Sequence, residues 1–138
     1  MDKINFKRVV LGGLLAGLIM LIGYIIQAQV LGEEWELALT GFELAEPGLG
    51  LGILMILSAF IQGIVAVAIY AGYRPRCGAG PKTALWAGLT VWFLTNFMGQ
   101  AWMFYFGIFP MKIFWWQAIW GLVLINLAVI AGAWLYKE

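Results

Sequence analysis

The sequence contains no histidine, one cysteine and few charged residues, and each shortage excludes a kind of chemistry. Histidine is the commonest general base and a frequent haem and transition-metal ligand, so its absence removes the most versatile catalytic side chain. Cys77 alone forms neither an internal disulfide nor the thiolate cluster of a zinc or iron–sulfur site. We therefore expect no metal site, no catalytic residues and no intrinsic cofactor.

Charged residues make up only 11% of the 138 residues, whereas 64% are hydrophobic. Soluble domains average roughly 25% charged and 45–50% apolar residues. A chain of this length has too small an interior to bury the excess, so lipid must cover part of the apolar surface. The net charge of +1 creates no field that would attract nucleic acid, and no nucleic-acid partner is expected.

Four long stretches carry no charged residue, and each exceeds the roughly 20 apolar residues that cross the hydrocarbon core of a bilayer as a helix. Helices satisfy all their backbone polar groups within one segment, as a bilayer requires. The sequence therefore predicts an all-α membrane protein whose single domain, 1–138, is a bundle of four transmembrane helices. Their expected bounds are about 5–31, 48–73, 82–106 and 111–136, with an acidic outer loop at 32–47.

The charged residues are distributed unevenly between the two sides of this arrangement. Seven of the eight basic residues fall on one side: Lys3, Lys7, Arg8, Arg74, Arg76, Lys82 and Lys137. The other side has Lys112 and five glutamates: Glu33, Glu34, Glu36, Glu43 and Glu46. Because Lys and Arg are enriched in cytoplasmic loops, both termini are predicted to be cytoplasmic, and the expected location is the bacterial inner membrane.

Two connecting segments differ in character. In the acidic loop, Trp35, Leu39 and Phe42 recur at helical spacing. This spacing fits either a helix lying flat on the membrane or a solvated loop anchored by Trp35. The segment 74–82 contains two prolines and two glycines, so it is predicted to form a tight turn that does not continue a helix.

Small residues recur four positions apart in every predicted span. Such pairs let helices approach closely in lipid, where hydrophobic attraction between helices is absent. They predict packing faces, either within the bundle or against other membrane subunits. The glycines assigned to this role are Gly13, Gly17, Gly63, Gly88 and Gly132.

Side-chain amides form a second set, to which every predicted helix contributes. The candidate polar layer consists of Gln27, Gln62, Asn96, Gln100, Gln117 and Asn126. One interpretation is structural, because amides hydrogen-bond across membrane bundles and specify which helix faces meet. The other is a polar pocket that holds a small neutral molecule or the polar head of a quinone, a lipid or a pigment.

No Asp, Glu, Lys or Arg lies within the four stretches. Proton-coupled transporters require an ionisable group in the membrane, so drug–proton antiport is disfavoured. Enzymatic chemistry is disfavoured by the same inventory, because no nucleophile–base pair is available. We therefore expect a non-catalytic accessory or structural subunit of a larger membrane complex that contacts lipid or pigment. The alternative is a small carrier or channel for a neutral solute that uses the amide layer.

Glycines and aromatic residues recur in four motifs: Gly23-Tyr24, Leu31-Gly32-Glu33-Glu34-Trp35, the Trp-rich segment 112–117 and Ala131-Gly132-Ala133-Trp134. In these motifs the chain resembles an uncharacterised bacterial family of small four-helix integral membrane proteins, a domain of unknown function. Ile25, Ile26 and Gln27 stand where that family has a second aromatic pair. The resemblance implies a four-helix fold and its topology, and it brings no activity or site residues with it.

Overall fold

The computed structural model describes residues 4–42 and 48–136, and every regular element in this part of the chain is a helix. The elements are α1 (Phe6–Leu39), α2 (Leu49–Cys77), α3 (Pro81–Val91), a π-helical segment (Trp92–Phe97), α4 (Met98–Tyr105) and α5 (Met111–Leu135). In the described residues α1, α2 and α5 are long and apolar enough to cross a membrane. This confirms the predicted all-α class and indicates a membrane protein.

The third predicted helix corresponds to three elements that follow one another without a break from residue 81 to residue 105. The π segment has a wider turn than an α-helix and separates α3 from α4. Thr95 lies within it and donates its hydroxyl to the Val91 carbonyl oxygen (2.8 Å). Such back-bonding by threonine often bends helices and accompanies the change in helical winding here.

The first helix continues beyond its predicted end at residue 31 and runs to Leu39. Trp35 therefore belongs to α1, and the prediction of an acidic loop beginning at residue 32 was wrong in its first part. Glutamate is a good helix former, so α1 extends past the apolar span into its polar flank. Thr40 caps the helix by donating to the Glu36 carbonyl oxygen (2.9 Å). The rest of that loop, including Glu43 and Glu46, lies outside the described residues.

The predicted turn at 74–82 is shorter than expected, because α2 continues through Pro75 to Cys77. A proline in the last turn of a helix removes only one backbone hydrogen bond, so the helix tolerates it there. Gly78 and Gly80 then reverse the chain at φ values of 80° and 149°, which favour glycine. Pro81 opens α3 at its first turn, a favourable place for proline.

The helices form a bundle in which α1 and α3 lie on opposite sides of the pair formed by α2 and α5. Both α1 and α3 pack against α2 and α5, whereas no Cα atoms of α1 and α3 come within 8 Å of each other in the described residues. The core between them contains Ala16, Met20, Val67, Ile125 and Val129. Leucine, isoleucine and valine side chains on the outside of the bundle are exposed, as expected for a lipid-facing surface.

The two ends of the bundle differ in charge. The Asn5 backbone N–H donates to the Tyr136 hydroxyl (3.3 Å), so the start of α1 and the end of α5 lie together. Arg8, Arg74, Arg76 and Lys82 flank the same end of the helices, which we call the basic end. At the opposite, acidic end, Lys112 forms an ion pair with Glu34 near the start of α5. Lys3 and Lys137 lie outside the described residues.

Candidate functional site

Gln62 connects three elements through the middle of the bundle. Its Oε1 accepts a hydrogen bond from the Tyr24 hydroxyl of α1 (2.9 Å), and its Nε2 donates to Thr95 Oγ1 of the π segment (2.9 Å). Thr95 in turn donates its hydroxyl hydrogen to the Val91 carbonyl oxygen. Every hydrogen bond of this network is therefore donated in the same direction, from Tyr24 towards Val91. Thr95 is exposed, and this polar network therefore reaches the surface of the bundle.

Asn126 and Asn96 do not contribute to that network. Asn126 Nδ2 donates to the Leu122 carbonyl oxygen of its own helix (2.7 Å), while its Oδ1 lies against Gly88 of α3. Asn96 lies against Gly121 of α5, where an added Cβ would be 2.5 Å from Asn96 Cγ. Each asparagine thus occupies the space that a glycine leaves on the facing helix. These two amides fit the structural interpretation of the polar layer.

Gln27, Gln100 and Gln117 lie nearer the acidic end. Gln27 and Gln117 are buried, and Gln100 is half-buried. Gln100 Oε1 and Gln117 Nε2 have no hydrogen-bond partner among the described residues. An unpaired buried amide atom is costly, and both atoms are enclosed by the chain itself. The predicted layer is therefore divided into the bonded Gln62, two packed asparagines whose Oδ1 atoms also lack a hydrogen-bond partner among the described residues, and an outer group in which Gln100 and Gln117 each have one unpaired amide atom.

The five predicted packing glycines all lie at close contacts within the chain. Gly63 of α2 faces the backbone of Gly13 and Gly17 in α1, and an added Cβ would be 2.7 Å from Gly17 Cα. A Cβ at Gly132 of α5 would lie 2.6 Å from the Gly12 carbonyl oxygen. Close approach of backbones through such positions is the packing mode expected in lipid.

Two deep tryptophans bond across helices as well. Trp92 Nε1 of the π segment donates to the Ala118 carbonyl oxygen (2.9 Å), and Trp120 Nε1 of α5 donates to the Gly23 carbonyl oxygen (3.2 Å). Both indole groups are thereby satisfied where water is scarce. These bonds fix α5 against its neighbours on both sides.

The part of α2 nearest the acidic end lies apart from the bundle. Every residue from 49 to 58, which we call the open segment, is exposed. In the described residues no Cα of α2 comes within 8 Å of a Cα in the π segment or α4. A cleft therefore separates the open segment from the π segment and α4. The Gln62–Thr95 bond crosses it where α2 rejoins the bundle.

An aromatic cluster joins the π segment to α5. In the π segment, Phe93 and Phe97 are stacked with ring centroids 5.6 Å apart, and Phe97 contacts Phe114 of α5 at the same centroid distance. In the open segment, Gly50 and Gly52 have open space around them, because an added Cβ at either position would meet nothing within 4 Å. The cleft thus has the exposed open segment along one side and the Gln62 amide and the Thr95 hydroxyl at its closed end.

The described residues of the helices that are long enough to cross a membrane offer several hydrogen-bonding groups. Within the charge-free stretches these groups are amides, hydroxyls and indoles, and no group of three or more His, Cys, Asp or Glu lies together in the described residues. Such groups can orient a neutral polar molecule or a facing helix. The Tyr24 hydroxyl and Thr95 were absent from the predicted polar layer. Tyr24 lies one helical turn before Gln27, which was the only available indication of its position.

No protein-family model, curated protein or solved structure matches the chain. The resemblance to a family of small four-helix membrane proteins therefore stays a prediction. The geometry described above is the basis for functional inference.

Proposed function

We propose that this protein is a non-catalytic subunit of a larger assembly in the bacterial inner membrane and packs against another membrane protein through the cleft. In this proposal the helical stretch 81–105 is a fourth membrane span, and both termini are cytoplasmic. The basic end supports this orientation through the positive-inside rule. The unbroken run of helix from 81 to 105 supports the fourth span, since its 23 residues beyond Lys82 include no charge.

The observation that carries the proposal is the exposure of the open segment on every side. Glycines at 50 and 52 leave backbone uncovered on two sides of this segment, where lipid tails pack poorly and another helix can pack closely. The predicted packing glycines, Gly13, Gly17, Gly63, Gly88 and Gly132, are already occupied within the chain. A transmembrane helix of a partner would complete the bundle here and reach the exposed Thr95.

The aromatic cluster between the π segment and α5 gives the protein a further role in this proposal. Phe93 is 47% exposed although it is stacked on Phe97, so its free face is available to an apolar molecule held at the surface of the bundle. A lipid, a quinone or a pigment has the flat or extended apolar shape that suits this surface. The chain would then seal such a molecule against its partner without reacting with it.

Site-specific photo-cross-linking in the native membrane tests the proposal. A photoreactive residue is placed at Leu54 in the open segment, at Leu94 in the π segment, or at Leu127 on the outside of α5. Their exposed fractions are 61%, 62% and 58%, so the three positions are matched controls for one another. We expect a defined adduct with a different membrane protein from Leu54 and Leu94, and only lipid adducts from Leu127.

Two outcomes would contradict the proposal. Equal yields of protein adduct from all three positions would show random collision in the membrane rather than docking at the cleft. An adduct containing only a second copy of this chain would identify a homo-oligomer and exclude an accessory role. A partner obtained from Leu54 and Leu94 is then identified by mass spectrometry.

A second candidate function is a small carrier or channel for a neutral solute, favoured by the bond network that opens into the cleft at Thr95. Its hydroxyls and amide could replace the water around a small polyol or amide. Vesicles containing the purified protein should then take up glycerol or urea faster than empty vesicles. Gln62→Leu should abolish the difference, and Gln29→Leu, at an exposed position on α1, should preserve it. Uptake equal to that of empty vesicles would exclude this function.

A further inference from the structure

A cavity of about 440 Å³ lies at the basic end, remote from the cleft. The last turns of α2, the start of α3 and the end of α5 line it, and it is open on one side. Its lining includes Tyr70, Arg74, Gly80, Ala84, Trp134 and Tyr136. A volume of this size falls in the range of roughly 300 to 1,000 Å³ typical of small-molecule sites.

The polar part of the cavity suits an anion. The Arg74 guanidinium carbon lies 5.6 Å from the centroid of the Tyr136 ring, so a cation is positioned in the lining by an aromatic face. The Tyr70 hydroxyl accepts a hydrogen bond from the Gly80 backbone N–H (3.4 Å), which leaves its own hydrogen for donation. The start of α3 adds the partial positive charge of a helix N-terminus to these groups.

The remaining lining is apolar and faces the membrane-embedded part of the bundle. Ala84 of α3 and Ile130 and Ala133 of α5 form this wall. Trp134 stands at its edge with 66% of its side chain exposed. Tryptophan at such a position is typical of the boundary between headgroups and acyl chains. The cavity therefore has a cationic region next to an apolar one, which is the pattern of an amphiphilic ligand.

We propose that this cavity binds the phosphodiester headgroup of an anionic phospholipid. The guanidinium of Arg74 would contact the phosphate oxygens, for which a planar fork of N–H donors is well suited. The Tyr70 hydroxyl would donate to the same group, and the first acyl-chain carbons would lie along Ile130 and Trp134. Inorganic phosphate shares the polar contacts with such a lipid and lacks the apolar ones, so the two sources are distinguishable.

The test is a titration of the full-length, delipidated protein in detergent, followed by native mass spectrometry. Phosphatidylglycerol, a diacylglycerol with the same acyl chains and inorganic phosphate are compared as ligands. We expect phosphatidylglycerol to bind about tenfold or more tightly than the diacylglycerol, which lacks the phosphate, because one hydrogen bond to a charged group contributes about that factor. Inorganic phosphate should bind more weakly than phosphatidylglycerol, since it gains nothing from the apolar wall.

Arg74→Gln and Arg76→Gln form a matched pair for this titration. Both arginines lie in the last turn of α2, but Arg76 is exposed and does not line the cavity. Arg74→Gln should weaken phosphatidylglycerol binding about tenfold, and Arg76→Gln should leave it unchanged. Equal effects of the two variants would overturn the proposal, because they would show that the lipid is attracted by the total positive charge of the basic end and not by a contact with Arg74.

Ala133→Leu tests the cavity without changing the charge, in case Arg74→Gln fails to fold. The larger side chain fills space along the apolar wall and should weaken phosphatidylglycerol binding while leaving phosphate binding in place. Unchanged lipid binding in this variant would overturn the proposal. So would equal affinity of the native protein for phosphatidylglycerol and inorganic phosphate, since that result would identify a site for a free anion.

Discussion

Asn126 of α5 projects onto Gly88 of α3, with its Oδ1 placed where any other residue would carry a side chain. The reciprocal contact joins Asn96 of the π segment to Gly121 of α5. An amide oxygen held against a glycine can accept a weak Cα–H hydrogen bond, which recurs at helix–helix interfaces. Two such contacts fix the register of α5 along its neighbour, and they explain why these amides lie deep in the bundle without bonding to each other.

Gly88→Ala is expected to destabilise the bundle by about 1–3 kcal/mol, because overpacking a close contact forces the helices to shift. An added Cβ would lie 3.1 Å from the Asn126 Cα, so moving the amide alone does not relieve the crowding. The measurement is the midpoint of thermal unfolding in detergent. Gly99→Ala is the control, since a Cβ at Gly99 in α4 meets nothing within 4 Å. If both variants unfold at the native temperature, the contact described here is wrong.

Gly63→Ala should have a larger effect than Gly88→Ala. The atoms that a Cβ at Gly63 would meet belong to the backbone of Gly13 and Gly17, so no side chain can move away. Separation of α1 from α2 then costs packing along the most extensive interface of the bundle. Gly72→Ala, on the same helix with open space around it, should unfold like the native protein. The two variants are compared by thermal unfolding in detergent.

Loss of the hydrogen bonds of Gln62 should cost about 0.5–2 kcal/mol, in the range measured for polar contacts between membrane helices. Gln62→Leu removes the bonds to Tyr24 and Thr95 together, whereas Tyr24→Phe removes only the first. The double variant should therefore be no less stable than Gln62→Leu alone. Additive losses in this double-mutant cycle would mean that the two side chains act independently.

The single cysteine offers a direct test of orientation. Cys77 is free and exposed at the basic end, so a maleimide that does not cross membranes can label it without any substitution. We expect labelling in inside-out vesicles and no labelling in intact cells. In a Cys77→Ser background, Glu36→Cys at the acidic end should show the opposite pattern. Labelling of both positions from the same side would contradict the proposed four-span topology.

The fold was predictable where lipid imposes strong constraints. Charge-free stretches long enough to span a bilayer predicted the positions of α1, α2 and α5. In hydrocarbon every backbone N–H and C=O group must be hydrogen-bonded within the protein, so an apolar stretch of this length has few structures available other than a helix. The end of α1 was not predictable in the same way. A helix that leaves the bilayer can continue in water through residues such as Glu33 and Glu36. The length of the charge-free stretch therefore does not predict where such a helix ends.

The polar layer was predictable in composition but not in its bonding. Periodicity showed which amides lie inside the spans, yet whether a side chain meets a hydroxyl, as Gln62 does, or a glycine, as Asn96 does, depends on helix rotation and register. The π segment adds to this difficulty, because its wider turn rotates the residues that follow it. Thr95, which bonds back to Val91 at that point, was the only local sign, and threonines do this in regular helices as well.

The bond between the Asn5 backbone and the Tyr136 hydroxyl has a consequence for the biogenesis of the protein. Helix α5 contributes to the contacts at Gly12, Gly23 and Gly88, so the surfaces of α1 and α3 that it covers stay uncovered until the end of the chain has been synthesised and inserted. The hairpin of α1 and α2 can form early, since its contacts are closer in sequence. Arrival of α5 then closes the ring, and a chain truncated before it would present glycine-lined faces to membrane chaperones and proteases.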